Sequence, residues 1–399
     1  MKRPNTLALT LCLSFLSTLG PFSLDMYLPS LPDIGRSLQA STLEVQLTIS
    51  SYLFGSAVGQ IFYGAVSDRL GRRPVLLWAL VFYSIITTAC AVASSVAVLI
   101  TLRFVQGVGV AGIMVLARAI VRDISSGVRA GRELSLMGSI TGLAPIIAPV
   151  IGGSLQVWFG WRANFVLLLL FASTIGSVAG LWLPETLRHP IKTPFSFVAM
   201  AALYRSVALH RGFLSYLAIL TFGIAGLFAW LSGASVIMQG ALYGLSPFVF
   251  GATFAIGSAG YVLGTFIAAR AMVRFGLDFV IGVGTAAMAV GGLSMAAVIA
   301  LALPHVLWLV GAMTLYSTGL GVALAATRAA ALTPFRDRAA TAASIMGLMQ
   351  QTGAAVSATV VGFYLGYSAW PVGSVVAVMG CLSFVIWALT RRVRGTALK

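Results

Sequence analysis

Acidic residues are scarce in this chain: nine Asp and Glu stand against 25 Lys and Arg in 399 residues. Charged residues of both signs make up only 9% and hydrophobic residues 59%, with a mean hydropathy of +1.00. So little charge cannot clothe a soluble domain of this length, which leaves a polytopic membrane protein. The period-two alternation of a membrane barrel is missing, so the spans are helical. Cysteine is almost absent; Cys12, Cys90 and Cys381 are an odd set inside apolar runs, which excludes a disulfide framework, and no pair has zinc-ligand spacing. His189, His210 and His305 lie in separate loops without evident partners, so no catalytic residue or metal site is assigned. A membrane-embedded enzyme is therefore the weakest functional class. There is no phosphate-binding P-loop, so ATP drive has no support.

What is present is a series of apolar runs of about 20 residues, each long enough to span as a helix. Twelve are expected, near 6–28, 45–66, 75–95, 98–118, 134–157, 163–183, 213–236, 246–269, 278–301, 305–327, 340–364 and 369–390. Of the 25 basic residues, 22 fall at the N-terminus, in the even-to-odd connections or at the C-terminus; only Arg36 and Arg162 lie in the opposite loops. That bias places both termini in the cytoplasm of a multi-pass protein, expected in the bacterial inner (plasma) membrane. The net charge of +16 is thus a topology signal. Nucleic-acid binding would need those side chains gathered on one face with aromatics between them. Lys2 and Arg3 before an apolar run imitate a secretory signal, but no small-x-small cleavage site follows and a retained first helix is expected.

One connection is long. Residues 184–212 open with Pro184-Glu185-Thr186 and divide the chain into an N-terminal six-helix half (1–183) and a C-terminal one (213–399), with a cytoplasmic central loop between. Arg69-Leu70-Gly71 and Arg274-Phe275-Gly276 end equivalent connections 205 residues apart, close to half the chain, as a duplicated transporter plan requires.

Asp25 is the only acidic residue inside an apolar run, and Arg103 is the only basic residue placed comparably deep. Each costs roughly 2.5–3.5 kcal/mol at mid-bilayer even on the lenient insertion scale, so both should face a protein interior or a water-filled path. Removal from water favours the neutral form of a carboxyl, which would let Asp25 exchange a proton, and an approaching Arg103 would push that proton off. A static buried salt bridge between the two is the structural alternative. The stretch Gly64-Ala-Val-Ser-Asp68-Arg69-Leu-Gly71-Arg72-Arg73-Pro74 ends the second span in a tight turn. Gly71 permits a backbone that a side chain would strain, Gly64 permits close helix approach, and Arg69, Arg72 and Arg73 hold the turn at the anionic surface. Asp68 has no topological reason to be there and is expected to act as a conformational latch on a helix N-terminus. In the fifth span, Gly138, Gly142, Pro145, Pro149, Gly152 and Gly153 are expected to form a deformable seam. Gly55-Ser-Ala-Val-Gly59 and Gly260-Tyr-Val-Leu-Gly264 read as plain packing motifs.

The loop after the second span resembles the signature of the major facilitator superfamily, with every key position filled. Arg103-Phe-Val-Gln106-Gly107 and the Gly/Pro pattern of span 5 are similar to motifs of its drug:proton antiporter branch, although Ala148 stands where that branch usually has Gly. Asp25-Met-Tyr-Leu-Pro29-Ser-Leu-Pro32 is similar to the first-helix signature of the bicyclomycin/chloramphenicol-resistance (Bcr/CflA-type) subfamily. The resemblance implies an all-α fold of twelve transmembrane helices in two pseudo-symmetric halves. It also implies proton-coupled efflux of small amphipathic drugs by alternating access, with Asp25 and Arg103 as the proton-coupling pair. Met26, Tyr27, Tyr52, Gln106, Trp230 and Tyr316 are the expected substrate cavity, with Phe22 and Phe54 nearby; such an adaptable wall suits amphipathic compounds. The glutamines at 46, 60, 350 and 351 are further candidates for substrate hydrogen bonds. No cofactor is expected beyond the proton gradient, and the partners are substrate, protons and the bilayer around a monomer. A transporter of a single metabolite, an amino acid or a sugar, is the main alternative.

The basic-residue asymmetry generates the first prediction. Reporters fused after the N-terminus, within 184–212 and after Arg394 should all report a cytoplasmic location, and a periplasmic signal from the central connection would refute the six-plus-six division.

Overall fold

Proline and glycine decide where the helices of this chain stop and how closely they approach. The computed structural model describes residues 6–125, 127–187, 205–207, 209–240, 242–366 and 368–391; most of the central loop, 188–204, lies outside them. The helices in chain order are α1 (Thr6–Asp25), α2 (Leu31–Ser37), α3 (Thr42–Leu70), α4 (Arg72–Ala91), α5 (Val96–Ile124), α6 (Gly127–Phe159) and α7 (Arg162–Trp182). After the central connection come α8 (Arg211–Gln239), α9 (Pro247–Phe275), α10 (Leu277–Ala300), α11 (Val306–Leu332), α12 (Ala339–Leu365) and α13 (Trp370–Leu389). No strand occurs among the described residues. Among the described residues, ten spans are long and apolar enough to cross a membrane. The other two long helices, α3 and α12, have 29 and 27 residues but carry polar groups such as Gln46, Ser56, Gln60, Gln350 and Ser357.

The helices fall into two compact units, Met1–Ala40 with Ser51–Phe195, and Ser41–Ser50 with Ser196–Lys399. In the first, α1 packs on α5, α6 and α7, while α4 lies between α5 and α7. In the second, α10 packs on α11 and α13, α11 on α9, and α8 on α12 and α13.

The first span departs from the expected single helix ending near 28. It runs Leu7–Ser37 and is broken after Asp25, where a 3₁₀ turn (Leu28–Ser30) joins α1 to α2. Pro29 and Pro32 lack the amide N–H that a continuous helix would need, and each disfavours helical backbone in the residue before it. The outer piece is pinned by side chains: Asn164 donates to Ser30 Oγ at 2.9 Å, Trp161 to Ser37 Oγ at 2.9 Å and Gln156 to an Asp33 carboxylate oxygen at 2.9 Å. Other helix starts are capped conventionally. Ser41 accepts from the Glu44 N–H while its own N–H donates to the Glu44 carboxylate at 2.8 Å, a capping box. His210 spends its Nδ1 accepting the Phe213 N–H at 3.3 Å, so it caps α8.

Both glycine pairs read as packing motifs prove to be contact points. A Cβ on Gly55 would lie 2.0 Å from the Phe104 carbonyl oxygen, and one on Gly107 would lie 2.1 Å from that of Tyr52, so α3 and α5 touch backbone to backbone. The second unit repeats the device: a Cβ on Gly264 would clash with the Thr318 carbonyl and one on Gly321 with that of Tyr261. Gly107→Ala should therefore force the helices apart, at about 1–3 kcal/mol for overpacking. Its apparent Tm in detergent should fall, while Gly311→Ala, which meets nothing within 4 Å, should leave it unchanged.

Candidate functional site

Among the described residues, Asp25 and Arg103 are the only charged side chains in the buried set, at 4% and 0% exposure. Asp25 is the last residue of α1, at the break in the first span. Where a helix is interrupted, backbone groups and side chains are released from the regular ladder, an arrangement tolerated at membrane depth only inside protein or beside a polar cavity. Asp33, the other carboxylate in this span, sits partly exposed near its end and contacts Arg36 at 3.4 Å.

Arg103 lies on α5, one turn before Gln106. Its Nη1 donates to Gln106 Oε1 at 2.6 Å, and Gln106 Nε2 donates in turn to Thr87 Oγ1 on α4 at 2.8 Å. The guanidinium lies 4.6 Å from the ring centroid of Tyr27, 4.3 Å from that of Tyr52 and 5.9 Å from that of Phe165. A desolvated cation over aromatic faces gains about 2 kcal/mol or more per good contact, which partly replaces lost hydration. No ion pair joins Arg103 to Asp25, and Arg103 Nε and Nη2 have no hydrogen-bond acceptor. The two charges share Tyr52 as an electrostatic neighbour. Tyr52 itself donates to the Gly20 carbonyl on α1 at 2.9 Å. Beside it, Ser23 donates to the Leu19 carbonyl at 2.6 Å, which leaves the Tyr83 hydroxyl to donate to Ser23 Oγ at 2.6 Å.

Of the residues expected at the cavity, Met26, Tyr27, Tyr52 and Gln106 gather here in the first unit and are buried. Phe22 stacks on Phe171 and Phe54 is half exposed against Phe104. Trp230 and Tyr316 are buried in the second unit, where the Tyr316 hydroxyl donates to the Gly223 carbonyl at 3.0 Å. Gln350 accepts from Arg328 at 3.0 Å. Thr87, Ser23, Tyr83 and Phe165 were not among the expected residues.

The turn between α3 and α4 is a second charged cluster. Gly71 takes φ +99°, as its position demanded. Arg72 reaches Asp68 at 2.6 Å, Asp123 on α5 at 2.9 Å and Ser67 Oγ at 2.6 Å. Arg69 donates to the Ala65 carbonyl at 2.8 Å and Arg73 to that of Gly180 at 2.7 Å. Gly64 departs from expectation: a Cβ there would meet nothing within 4 Å, so it makes no close helix contact. In the expected seam, Pro145 and Pro149 lie inside α6, and a Cβ on Gly152 would come 2.1 Å from the Met26 carbonyl. Gly142 is half-buried, Gly153 is buried, and Gly138 faces open space.

Two residues complete the turn that the motif alone does not name, Asp123 and Glu185. Thr186 Oγ1 donates to Asp123 at 3.3 Å. The Glu185 carboxylate accepts from the N–H groups of Arg72 at 3.0 Å and Arg73 at 3.1 Å, capping α4, and from those of Thr186 and Leu187 at 2.8 Å. Partial burial works against ionisation of Glu185, but these four N–H donors outweigh it and hold the carboxyl below its ordinary range. A lowered folded-state value means the contribution to stability is complete above the unfolded value and vanishes as pH falls through the folded one. Thermal unfolding of wild type and Glu185→Gln should accordingly differ at neutral pH and converge in acid.

The family model described as Major Facilitator Superfamily matches residues 13–239. An uncharacterized MFS-type transporter, YdgK of Bacillus subtilis, is 35% identical over 58% of each chain. A bicyclomycin resistance protein homolog of Haemophilus influenzae is 32% identical over 61% of each chain. Multidrug resistance protein D of Escherichia coli is 32% identical over 61% of this chain and 60% of its own. The chain thus spans about six-tenths of the length of the curated relatives it matches. A solved POT family transporter in complex with 5-aminolevulinic acid shares the fold, with a TM-score of 0.76 and 15% identity over 98% of this chain and 96% of the other. The chain is a multi-pass membrane protein that belongs to the Major Facilitator Superfamily.

Proposed function

We propose that this protein is a proton-coupled antiporter that exports small amphipathic compounds, antibiotics among them, from the cytoplasm across a bacterial inner membrane. The observation that carries the reading is Asp25: a carboxyl buried at a helix break, in the same unit as a buried guanidinium with which it is not paired. The resistance proteins among the relatives support the substrate class.

In this reading Asp25 binds a proton in one state of the carrier and gives it up in another. Arg103 keeps two donors uncommitted, Nε and Nη2, which an ionised Asp25 or an acceptor on the substrate can take. A proton on Asp25 and a substrate in the same site favour different states, so each ligand shifts alternating access by its differential affinity. Energy enters through the proton: one charge crossing the membrane potential is worth about 2.3 kcal/mol per 100 mV. The protein works as a monomer without a cofactor, and both termini are cytoplasmic. The turn cluster around Asp68 and Arg72 then biases the state equilibrium from outside the substrate site.

Asp25→Asn should still insert and fold, since it removes a buried charge, but should lose substrate-induced proton release and gradient-driven export. The test is proton release from detergent-solubilised protein on addition of substrate, with wild type and variant side by side. Unchanged release in the variant would assign the proton to another group. Arg103→Lys keeps the charge but loses the flat, forked guanidinium that faces Tyr27, Tyr52 and Gln106. Its export should fall about tenfold or more, a barrier change of about 1.4 kcal/mol. A susceptibility panel in a host without pumps separates this reading from the single-metabolite transporter.

A further inference from the structure

Thr87 lies on α4, outside the sequence motifs, yet its hydroxyl decides how the buried guanidinium is held. Thr87, Arg103 and Gln106 are all 0% exposed. Thr87 Oγ1 donates to the Tyr83 carbonyl at 2.7 Å and accepts from Gln106 Nε2 at 2.8 Å. Gln106 Oε1 in turn accepts from Arg103 Nη1 at 2.6 Å. The two ends of this relay fix its direction, because a backbone carbonyl can only accept and a guanidinium can only donate. The single Thr87 proton goes to the carbonyl, so toward Gln106 the hydroxyl offers lone pairs alone. The amide must therefore turn its NH2 to Thr87 and its oxygen to Arg103. Reversed, it would set donor against donor among buried groups, which is costly.

The orientation matters because Gln106 Oε1 is the acceptor that ties the guanidinium down; Nε and Nη2 have none. With Nη1 held, the Nε–H and Nη2–H groups, which point the same way, form one uncommitted edge. The rings of Tyr27 and Tyr52, with centroids 4.6 Å and 4.3 Å from the guanidinium, do not use that edge, since they meet its charge and not its N–H groups. Two parallel donors of this kind can grip both oxygens of a carboxylate.

Helix packing alone does not require the relay. At the offset of 205 residues, Thr87, Arg103 and Gln106 correspond to Gly292, Trp308 and Gly311. There α10 packs on α11, as α4 packs on α5, with no hydroxyl, amide or charge at any of the three positions. Trp308 is exposed, and a Cβ on Gly311 would meet nothing within 4 Å. The relay belongs to the unit that holds the buried charges.

We propose that Thr87 is a positioning residue for transport: by fixing the Gln106 amide it holds Arg103 through Nη1 and keeps the Nε–Nη2 edge of the guanidinium uncommitted. The orienting role stands on the geometry of the first unit. Its consequence for transport rests on the proton-coupled export proposed above, in which that edge has to be free.

The test has a spectroscopic arm and a transport arm. Rotation about the Cζ–Nη bonds of a guanidinium averages its two Nη nitrogens unless one of them is held. The first arm is nitrogen NMR of the full chain in detergent with isotope-labelled arginine, the Arg103 signals being those lost in Arg103→Lys. Wild type and Thr87→Ser should show two resolved Nη signals for Arg103. Thr87→Val keeps the shape but loses the hydroxyl, and should show one averaged signal. If Thr87→Val does not fold, Gln106→Met breaks the relay from its other side and should average the same pair. The second arm is accumulation of radiolabelled chloramphenicol by energised everted membrane vesicles. Thr87→Val should lower the rate about tenfold, the worth of one hydrogen bond to a charged group, and Thr87→Ser should stay within about twofold of wild type. An averaged signal in wild type, or a resolved pair in Thr87→Val or Gln106→Met, overturns the orienting role. Equal loss of rate in the serine and valine variants, or no loss in either, overturns the role in transport. The spectra need no substrate, so a wild type that moves no chloramphenicol counts against the export reading and leaves the spectra to decide this proposal.

Discussion

A carboxyl and a guanidinium, both withdrawn from water in the same helical unit and not paired with each other, set the terms for the rest of the first half. A buried charge that has lost hydration must recover several kcal/mol from its surroundings or change its protonation state. Arg103 cannot lose its proton, so the protein supplies two aromatic faces within 5 Å and one amide oxygen. Asp25 can become neutral, so it needs no such shell. The asymmetry follows from the chemistry of the two groups.

Holding Arg103 there depends on helix packing that only glycine allows. Gly107 follows Gln106 on α5, and its missing side chain brings the backbone of Tyr52 against the helix, which places the Tyr52 ring at the guanidinium. Tyr52 then reaches α1 through the Gly20 carbonyl, and Gly152 lets α6 lie against the Met26 carbonyl just past the break. The second unit uses the same spacing of small residues: Gly55 and Gly59 correspond to Gly260 and Gly264 at the offset of 205 that relates Gly71 to Gly276, and both of the latter have positive φ. The correspondence covers backbone and packing but not buried charge, because among the described residues no charged residue of the second unit belongs to the buried set.

Much of this was legible in the residues themselves, for reasons that differ from group to group. Asp25 and Arg103 stood out because charge in an apolar run is costly enough to need a reason, and Gly71 because a turn between antiparallel spans needs a backbone that side chains resist. Thr87, Ser23 and Tyr83 were invisible, since hydroxyls in membrane helices usually bond to their own backbone and give no hint of a network. Gly64 misled, because glycine is needed for close approach but does not create it. Pro29 and Pro32 held the break in plain view; the apolar residues around them masked it, because hydropathy is blind to hydrogen-bond continuity. Asp123 and Glu185 were detectable by the argument that singled out Asp68, since all three are carboxylates without a topological role.

Glu185 also changes how the central connection is to be understood. By composition it begins as a linker, rich in proline and basic residues, yet its first residues belong to the first unit. The carboxylate closes the N-terminus of α4, and Thr186 holds the Asp123 carboxylate that Arg72 also grips. A helix start has four unsatisfied N–H groups, and here a single carboxylate, that of Glu185, satisfies two of them from 113 and 112 positions away in sequence. The turn after the second span and the exit from the sixth are therefore one structural element.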